Sequence, residues 1–294
     1  MDALIAIASN PLQRTEEIVS PRTRRGCDQR VPLREPNSIA PHLSLPPGDG
    51  PAATFLTITN QRAGTTGIDR VTVRRSEMEK IAVWGFSWVP PFAQGLVRDL
   101  RVRWALEEAG LAYESRWIDT EERSSEAYRR KHPFGMVPVV ESGDDTLIES
   151  GAIVHAIAER CEALMPAGRR AETLTWMFTA LNTVEPPLWN LFVLDQLHAG
   201  EAWAKLRRAG AVEEAMARLT ALSECLDGRD YLLGRFSAAD VLMTTVLRFI
   251  RHTDLVAGFP TLDAYVKRCE ARPAFQAALR GQIADYARNA PIAA

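Results

Sequence analysis

Glu149 and Ser150 are the adjacent side chains in this sequence that suggest ligand chemistry. They precede Ile153, Ile157 and Cys161, whose four-residue spacing predicts a helix that starts near Ser150. Because free N–H groups and the macrodipole make a helix N-terminus attractive to anions, Ser150 could hold a carboxylate. The alternative is that Ser150 only caps the helix.

Cysteine and histidine are scattered, which argues against metal or disulfide chemistry. The four cysteines, Cys27, Cys161, Cys225 and Cys269, form no CxxC pair, and the five histidines form no HxxxH or HExxH motif. Structural zinc sites and disulfide frameworks need clustered or regularly spaced ligands. We therefore expect reduced, mostly buried thiols in a reducing compartment and no metal cofactor.

The composition is that of an ordinary globular protein. The chain has 294 residues, enough for two domains, with 46% apolar and 24% charged residues and a formal net charge of -2. This balance gives no reason to expect nucleic acid or an anionic membrane as a partner. The sequence contains no apolar run of about 18 residues that would span a bilayer, and its start lacks the basic region of a secretion signal.

The chain changes character near residue 78. All seven Trp and all five Tyr follow Glu77, whereas residues 1–77 hold one aromatic residue, Phe55, and eight of the 18 prolines. A segment of this composition cannot bury enough apolar surface to offset the entropy of ordering it. We expect residues 1–77 to be disordered, either as an over-extended start before Met78 or as a regulatory or targeting tail.

Residues 78–163 are predicted to form a βαβαββα unit. The elements in order are a strand at 79–84, a helix at 91–109, a strand at 111–118, a helix at 124–131, a hairpin that turns at 143–145, and the helix from Ser150. Pro91 suits the first turn of a helix, and Gly110 suits its C-cap.

From residue 164 onward every strong pattern is helical, which predicts an all-α domain over 164–294. The predicted long helices cover 170–198, 201–227, 237–253 and 261–286. Pro186 and Pro187 should kink the first of them. Ser237 and Asp240 fit the S-x-x-D capping box, in which two side chains satisfy backbone N–H groups at a helix start, so their predicted role is structural.

Two short stretches together resemble the glutathione-site signature of the cytosolic glutathione transferase superfamily in its bacterial form. They are MVPVV at 136–140 and IESGAI at 148–153. Three further stretches are similar to the family: 101–111, 234–241 and 271–273. The resemblance spans Met78 to about residue 285 and implies a thioredoxin-like glutathione-binding domain followed by an all-helical domain.

The resemblance also implies roles for four residues at the glutathione site. Pro138 would follow a cis peptide bond, which turns the chain so that the Val137 backbone pairs with the cysteinyl backbone of glutathione. Ser150 would hold the γ-glutamyl carboxylate, and Glu149 would face the γ-glutamyl ammonium. A family position near Met136 often carries an amide or a lysine toward the glycyl carboxylate, a role that methionine cannot fill.

The family's catalytic Tyr, Ser or Cys follows the first strand and favours the thiolate by hydrogen bonding to the glutathione sulfur. The window 85–94 contains no Tyr or Cys, and its only hydroxyl belongs to Ser87. The resemblance therefore implies Ser87 as the catalytic residue. In the alternative, Ser87 is a plain loop residue, and backbone N–H groups at a helix start near Phe92 and Ala93 stabilise the thiolate instead.

Other residues are weaker candidates. Lys131 and His132 flank the glutathione site. The predicted electrophile pocket contains Trp88, Trp176, Asn182 and Trp189. For Trp176 and Trp189 the alternative is ordinary packing between helices.

The resemblance implies an enzyme that activates the thiol of glutathione, its co-substrate, for attack on a small hydrophobic electrophile, as in detoxification. It further implies a cytoplasmic homodimer. Two alternatives stay open: a glutathione-dependent isomerase or dehalogenase, and a non-catalytic binding module of the same fold. Disulfide exchange is disfavoured because it needs a cysteine at the start of the first helix, where the sequence has none.

Overall fold

A computed structural model describes residues 80–291 of the chain. The predictions for residues 1–77, and the start at Met78, lie outside the described residues. None of the helices within 80–291 is long and apolar enough to cross a membrane.

Four strands form one mixed sheet in the order β2–β1–β3–β4. They are β1 (Ile81–Phe86), β2 (Tyr113–Ile118), β3 (Val139–Ser142) and β4 (Asp145–Ile148). β1 pairs in parallel with β2 and antiparallel with β3, and β3 forms a hairpin with β4. The central position of β1 explains its apolar sequence, because its residues face covered surfaces on both sides of the sheet.

The described helices follow the predicted order. They are α1 (Asp99–Ala109), α2 (Glu126–Lys131), α3 (Ser150–Ala158), α4 (Arg170–Phe178), α5 (Glu185–Phe192), α6 (Ala202–Leu226), α7 (Ala238–Leu247), α8 (Pro260–Glu270) and α9 (Pro273–Arg288). The predicted thioredoxin-like βαβαββα unit followed by helices is confirmed.

Pro186 and Pro187 interrupt the regular helix in the way their chemistry requires. They occupy the first turn of α5, and a π-helical segment, Thr179–Val184, directly precedes that turn. Proline cannot donate to the preceding turn, so the widened hydrogen-bond pattern falls where the sequence predicts a kink.

The first helix begins at Asp99, so the predicted start at Pro91 is wrong. Residues 91–98 form successive turns instead. Gly95 has a φ of +76°, in the left-handed region, and such a residue cannot continue a right-handed α-helix. No helix therefore starts at Phe92 and Ala93. The backbone N–H groups there, which were the alternative thiolate donors, are not supported by a helix dipole.

Two predictions for the later helices have opposite outcomes. The capping box is confirmed, because Asp240 Oδ2 accepts a hydrogen bond from the Ser237 backbone N–H at 2.9 Å while the Ser237 side chain caps the N-terminus of α7. The single helix predicted at 261–286 is instead two helices, α8 and α9. Pro273 starts the second one, since it has no N–H with which to continue the first.

The main hydrophobic core joins the sheet to the helices through α1. Trp104 of α1 is fully buried, and its ring centroid lies 4.9 Å from that of Phe275 on α9. Leu100 of α1 belongs to the same cluster as Val83 of β1 and Leu188 of α5. α1 is therefore fixed from both sides, and so are the side chains near its N-terminus.

Gly135 lies in the turn before β3, and a substitution there tests how tightly that turn is packed. Its φ is +62°, and a Cβ placed on it would lie 2.7 Å from the backbone oxygen of Arg123. Gly135→Ala is expected to lower the free energy of unfolding by about 1–2 kcal/mol from the left-handed conformation alone, and by more because of the clash.

The matched control is Gly110→Ala. Gly110 has a similar φ of +65°, but a Cβ added there would meet nothing within 4 Å. Urea denaturation of both variants separates the backbone effect from the clash. Equal losses for the two variants would mean that the turn at Gly135 relaxes freely.

Candidate active site

The turn between α2 and β3 contains Val137 and Pro138. The Val137–Pro138 peptide bond is cis. The phenolic O–H of Tyr128 donates to the Met136 carbonyl at 2.9 Å, and Tyr128 itself is buried. Tyr128 thus fixes the chain directly before Val137.

Ser150 is the first residue of α3, and its side chain does not cap that helix, so the predicted cap is wrong. Its hydroxyl instead accepts a hydrogen bond from Arg101 Nη1 at 3.2 Å. Glu149 occupies the cap position with a φ of +66°, a conformation that is uncommon for a residue with a side chain. Such backbone strain is often found at functional sites, and the Glu149 side chain is exposed.

The predicted glutathione residues lie together in the lining of a partly polar cavity that is open to solvent. Its lining includes Val137, Pro138, Glu149 and Ser150. The structure therefore brings together residues from two loops that are separated in sequence.

A buried ion cluster forms the wall of this cavity toward the helices. Glu185 of α5 accepts from Arg98 Nε at 2.9 Å and, through its other oxygen, from Arg101 Nη2 at 2.7 Å. The Arg101 side chain is 2% exposed and that of Glu185 is 10% exposed. Burial alone would raise the pKa of Glu185, but the charges and hydrogen bonds of the two arginines outweigh it and hold that pKa below its usual value.

The sequence reasoning missed this cluster, although part of its signal is visible. Arg98 and Arg101 are three residues apart, so a helical turn places them on the same side. Their carboxylate partner, Glu185, lies more than 80 residues further along the chain, where the sequence marks it only by the two prolines that follow.

A narrow apolar cavity adjoins the polar one. Aromatic side chains from the helices line it, namely Trp189, Phe192 and Phe249, together with Phe86 of β1. Arg98, Met136 and Val137 line both cavities. The Arg98 guanidinium lies 4.9 Å from the ring centroid of Trp189 and 5.4 Å from that of Phe249.

The four residues predicted for the electrophile pocket are divided by the structure. Trp189 lines the apolar cavity and Asn182 lines the polar one. Trp88 and Trp176 line neither of these cavities and pack against hydrophobic core clusters. Contact of any of the four with an electrophile stays a prediction.

Ser87 lies outside the lining of both cavities. It follows β1 directly, and its hydroxyl donates to the carboxylate of Asp119, the residue after β2. Its predicted catalytic role stays a prediction, and the structure gives the hydroxyl a partner within the protein.

The part of the chain that the structure describes holds no group of three or more His, Cys, Asp or Glu side chains arranged to bind a metal ion. Within that same range Cys161, Cys225 and Cys269 are free thiols.

Comparison with known families places the chain among the glutathione S-transferases. Residues 100–163 match the glutathione S-transferase N-terminal domain, and residues 191–273 match the glutathione S-transferase C-terminal domain. Both ranges lie inside the domains predicted at 78–163 and 164–294, whose bounds stay predictions.

The alignments with individual relatives span most of the length of each relative. Glutathione S-transferase 4 of Zea mays is 31% identical over 210 residues, which are 66% of this chain and 89% of that protein. A glutathione S-transferase of Xanthomonas campestris is 25% identical and is covered over 97% of its length, against 66% of this chain.

Solved structures agree with these relatives. The theta class glutathione S-transferase of Xanthomonas axonopodis pv. citri, crystallised with glutathione bound, is 28% identical with a TM-score of 0.58, over 69% of this chain and 98% of that one. A glutathione transferase of Populus trichocarpa has a TM-score of 0.61 at 22% identity, over 69% of this chain and 99% of that one. The chain belongs to the glutathione S-transferase family and is a glutathione transferase with that family's thioredoxin-like and helical domains.

Proposed function

We propose that this enzyme binds glutathione in the polar cavity and activates its thiol for attack on a small electrophile in the apolar cavity. The observation that carries the proposal is the junction lined by Arg98, Met136 and Val137, which belongs to both cavities. A tripeptide whose cysteinyl backbone pairs with Val137 directs its sulfur to this junction. The electrophile then meets the sulfur from the apolar side.

The γ-glutamyl end of glutathione fits the start of α3. Ser150 offers a hydroxyl and a helix N-terminus for the carboxylate, and Arg101 supports that hydroxyl from behind. Glu149 supplies the negative charge that the ammonium needs. The glutathione-bound structure of the Xanthomonas axonopodis relative supports glutathione as the co-substrate.

Activation of the thiol requires a group that favours the thiolate at the junction. A free thiol has a pKa of about 8.5, so only a few per cent of it is ionised at pH 7. Arg98 is the cation that lines both cavities, and we assign it this role. Ser87 stays the second candidate, and it would have to give up its hydrogen bond to Asp119 to reach the sulfur.

The proposal also covers the type of electrophile and the oligomeric state of the enzyme. The aromatic lining of the apolar cavity suits a small hydrophobic electrophile. The proposal takes the assembly to be a homodimer because of the resemblance to the family. The proposal places the enzyme in the cytoplasm and uses no metal.

The test combines retention on a glutathione resin with conjugation of a generic aryl halide. We expect the protein to be retained, to elute with free glutathione, and to catalyse conjugation. Retention without turnover would favour the non-catalytic binding module, and turnover limited to isomerisation or dehalogenation would favour those chemistries. A protein that does not bind glutathione at all contradicts the proposal.

A further inference from the structure

The stretch between β1 and α1, residues 87–98, forms one wall of the apolar cavity, and we call it the β1–α1 segment. Ala93, Leu96 and Val97 of this segment line the cavity together with aromatic side chains of the helices. The segment precedes the residues that match the family's N-terminal domain. What holds it in place must therefore be found among the contacts of this chain.

The two ends of the β1–α1 segment are fixed by contacts near the sheet and in the ion cluster. At its start, the Ser87 backbone N–H donates to the Ile118 carbonyl at 3.1 Å, and the Ser87 hydroxyl donates to Asp119. At its end, Arg98 is paired with Glu185. The position of the middle of the segment depends on other contacts.

Two arginines that follow α7 directly hold the middle of the segment by its backbone. Arg251 Nη2 donates to the Gln94 carbonyl at 2.7 Å and to the Phe92 carbonyl at 3.3 Å. Arg248 Nη2 donates to the Gly95 carbonyl at 3.3 Å. In the part of the chain that the structure describes, these three carbonyls accept no backbone N–H, so they depend on the arginines.

The contact between the arginines and the segment is close. A Cβ placed on Gly95 would lie 3.3 Å from an Nη atom of each arginine and 2.9 Å from Leu279 Cδ1. Arg248 is buried and is also paired with Glu270. Arg251 is exposed, so replacing it removes two hydrogen bonds to the segment without burying an unpaired charge.

The narrow apolar cavity admits a large group only if one of its walls moves. The aromatic wall is packed on itself, since the ring centroid of Trp189 lies 5.1 Å from that of Phe192 and 5.0 Å from that of Phe249. The β1–α1 segment has no regular secondary structure, and such segments open at the lowest cost. A wide group therefore enters by displacing the segment, which strains the hydrogen bonds of Arg251.

We propose that Arg251, together with Arg248, is a positioning residue that holds the β1–α1 segment against the apolar cavity and so limits the size of the electrophile. The inference rests on the proposed function, because it requires the electrophile in that cavity. Val137, Pro138 and Ser150 lie outside the segment, so the arginines act on the electrophile and leave the binding of the glutathione backbone unchanged.

The experiment compares S-methylglutathione with S-hexylglutathione, whose longer substituent must extend from the sulfur into the apolar cavity. Calorimetric titration gives the ratio of the two affinities for each protein. Arg251→Met should shift this ratio about fivefold in favour of S-hexylglutathione, which is the effect of one hydrogen bond of ordinary net strength. Its affinity for S-methylglutathione should equal that of the wild type.

Turnover supplies a second readout that a general loss of stability would not produce. Arg251→Met should raise kcat/KM for a benzyl halide with a bulky para substituent relative to the unsubstituted halide. The KM for glutathione should stay at the wild-type value.

Two further variants serve as controls. Arg251→Lys keeps the charge and a donor, so its affinity ratio should lie between those of the wild type and Arg251→Met. The matched control is Arg268→Met. Arg268 also donates to a backbone carbonyl, that of Asp230 at 2.8 Å, but it lines neither cavity, so its loss should leave the ratio unchanged.

The failures of the two proposals can be told apart. A wild type that binds neither S-substituted peptide contradicts the proposed function and this inference with it. If the wild type binds both and Arg251→Met has the wild-type ratio, or weakens both equally, Arg251 does not limit the electrophile. An equal shift of the ratio in Arg268→Met would contradict the inference as well. Arg251→Lys allows the same comparison if Arg251→Met folds poorly.

Discussion

Glu185→Gln is expected to lower the free energy of unfolding by about 3–5 kcal/mol, because it removes the charge that balances a buried guanidinium. Within residues 80–291, Glu185 is the only carboxylate within ion-pair distance of Arg101. Arg101 cannot lose its proton at accessible pH, so the variant must fold around an uncompensated cation. Arg98 loses the same partner, but its side chain is 26% exposed and can be hydrated.

The same substitution should weaken glutathione binding, because Arg101 also donates to the Ser150 hydroxyl. In this variant Arg101 keeps its hydrogen bond to Thr245 but loses the charged partner of Nη2, so its hydrogen bond to Ser150 should weaken. Urea denaturation and calorimetric titration measure the two effects. The matched control is Glu172→Gln, which removes an exposed ion pair with Arg169 and should change stability by less than about 1 kcal/mol.

The contribution of the Glu185 ion pairs to the free energy of unfolding should depend on pH in a definite direction. The pKa of folded Glu185 lies below its ordinary value of 4.5, since the charges of Arg101 and Arg98 outweigh the effect of burial. Because the pKa is lowered in the folded state, the ion pair stabilises the protein fully at pH values above the ordinary pKa of a glutamate. This stabilisation is lost as the pH falls through the lowered pKa. The stability difference between wild type and Glu185→Gln should therefore be constant from about pH 6 to 8 and shrink in acid.

A double variant separates stability from binding. Arg101→Met with Glu185→Leu replaces the buried charges by apolar side chains, an exchange that is often neutral or stabilising. We expect stability to recover relative to Glu185→Gln, whereas glutathione affinity should be low because Arg101→Met removes the donor to Ser150. If Glu185→Gln unfolds at the wild-type urea concentration, the cluster does not support the fold.

The parts of this fold that sequence predicts well are those with local causes. The order of strands and helices along the chain follows from apolar periodicity and turn residues, and the box of Ser237 and Asp240 is complete within four residues. The cis bond before Pro138 was implied by the family resemblance of the stretches at 136–140 and 148–153, and the structure brings Val137 and Ser150 to one cavity.

The wrong predictions arise where another feature overrides a local sequence preference. The apolar residues before Asp99 have helical spacing, but the left-handed Gly95 overrides that pattern. Serine favours the N-cap position, which predicts that Ser150 caps α3. Its hydroxyl is instead taken by Arg101, and Glu149 occupies the cap with a positive φ.

The ion cluster could not be predicted because its members meet only through tertiary structure. Arg98 and Arg101 precede and begin α1, while Glu185 is carried by α5 after the π-helical segment. Nothing in the spacing of charges along one helix predicts a contact across this distance. The same is true of the hydrogen bond between Ser87 and Asp119, which depends on the parallel pairing of β1 and β2.

Arg98→Met is expected to raise the pKa of the glutathione thiol in the complex by about 1–2 units and to slow conjugation at pH 7 by about 10–100-fold. Two unit charges about 4 Å apart interact by about 4 kcal/mol at an effective dielectric constant of about 20. The ion pair with Glu185 cancels part of that field at the junction, so we expect about 1.4–2.7 kcal/mol to remain for the thiolate. Glu185 keeps Arg101 as its partner in this variant, so the fold should persist.

The measurement is the ultraviolet absorbance of the thiolate in the complex as a function of pH. S-methylglutathione, which has no ionisable thiol, should bind Arg98→Met and wild type alike, and this excludes a general loss of the site. Arg98→Lys keeps the charge and should recover part of the lowered thiol pKa, although it cannot reproduce the stacking on Trp189.

Ser87→Ala, titrated in the same way, compares the two candidates directly. A shift as large as that of Arg98→Met would mean that the Ser87 hydroxyl leaves Asp119 and binds the sulfur. Coincident curves for Arg98→Met and wild type would remove Arg98 from the role assigned to it. Because the Val137 backbone is already paired with the cysteinyl backbone of glutathione in the proposal, the thiolate would then depend on Ser87 or on a group outside this junction.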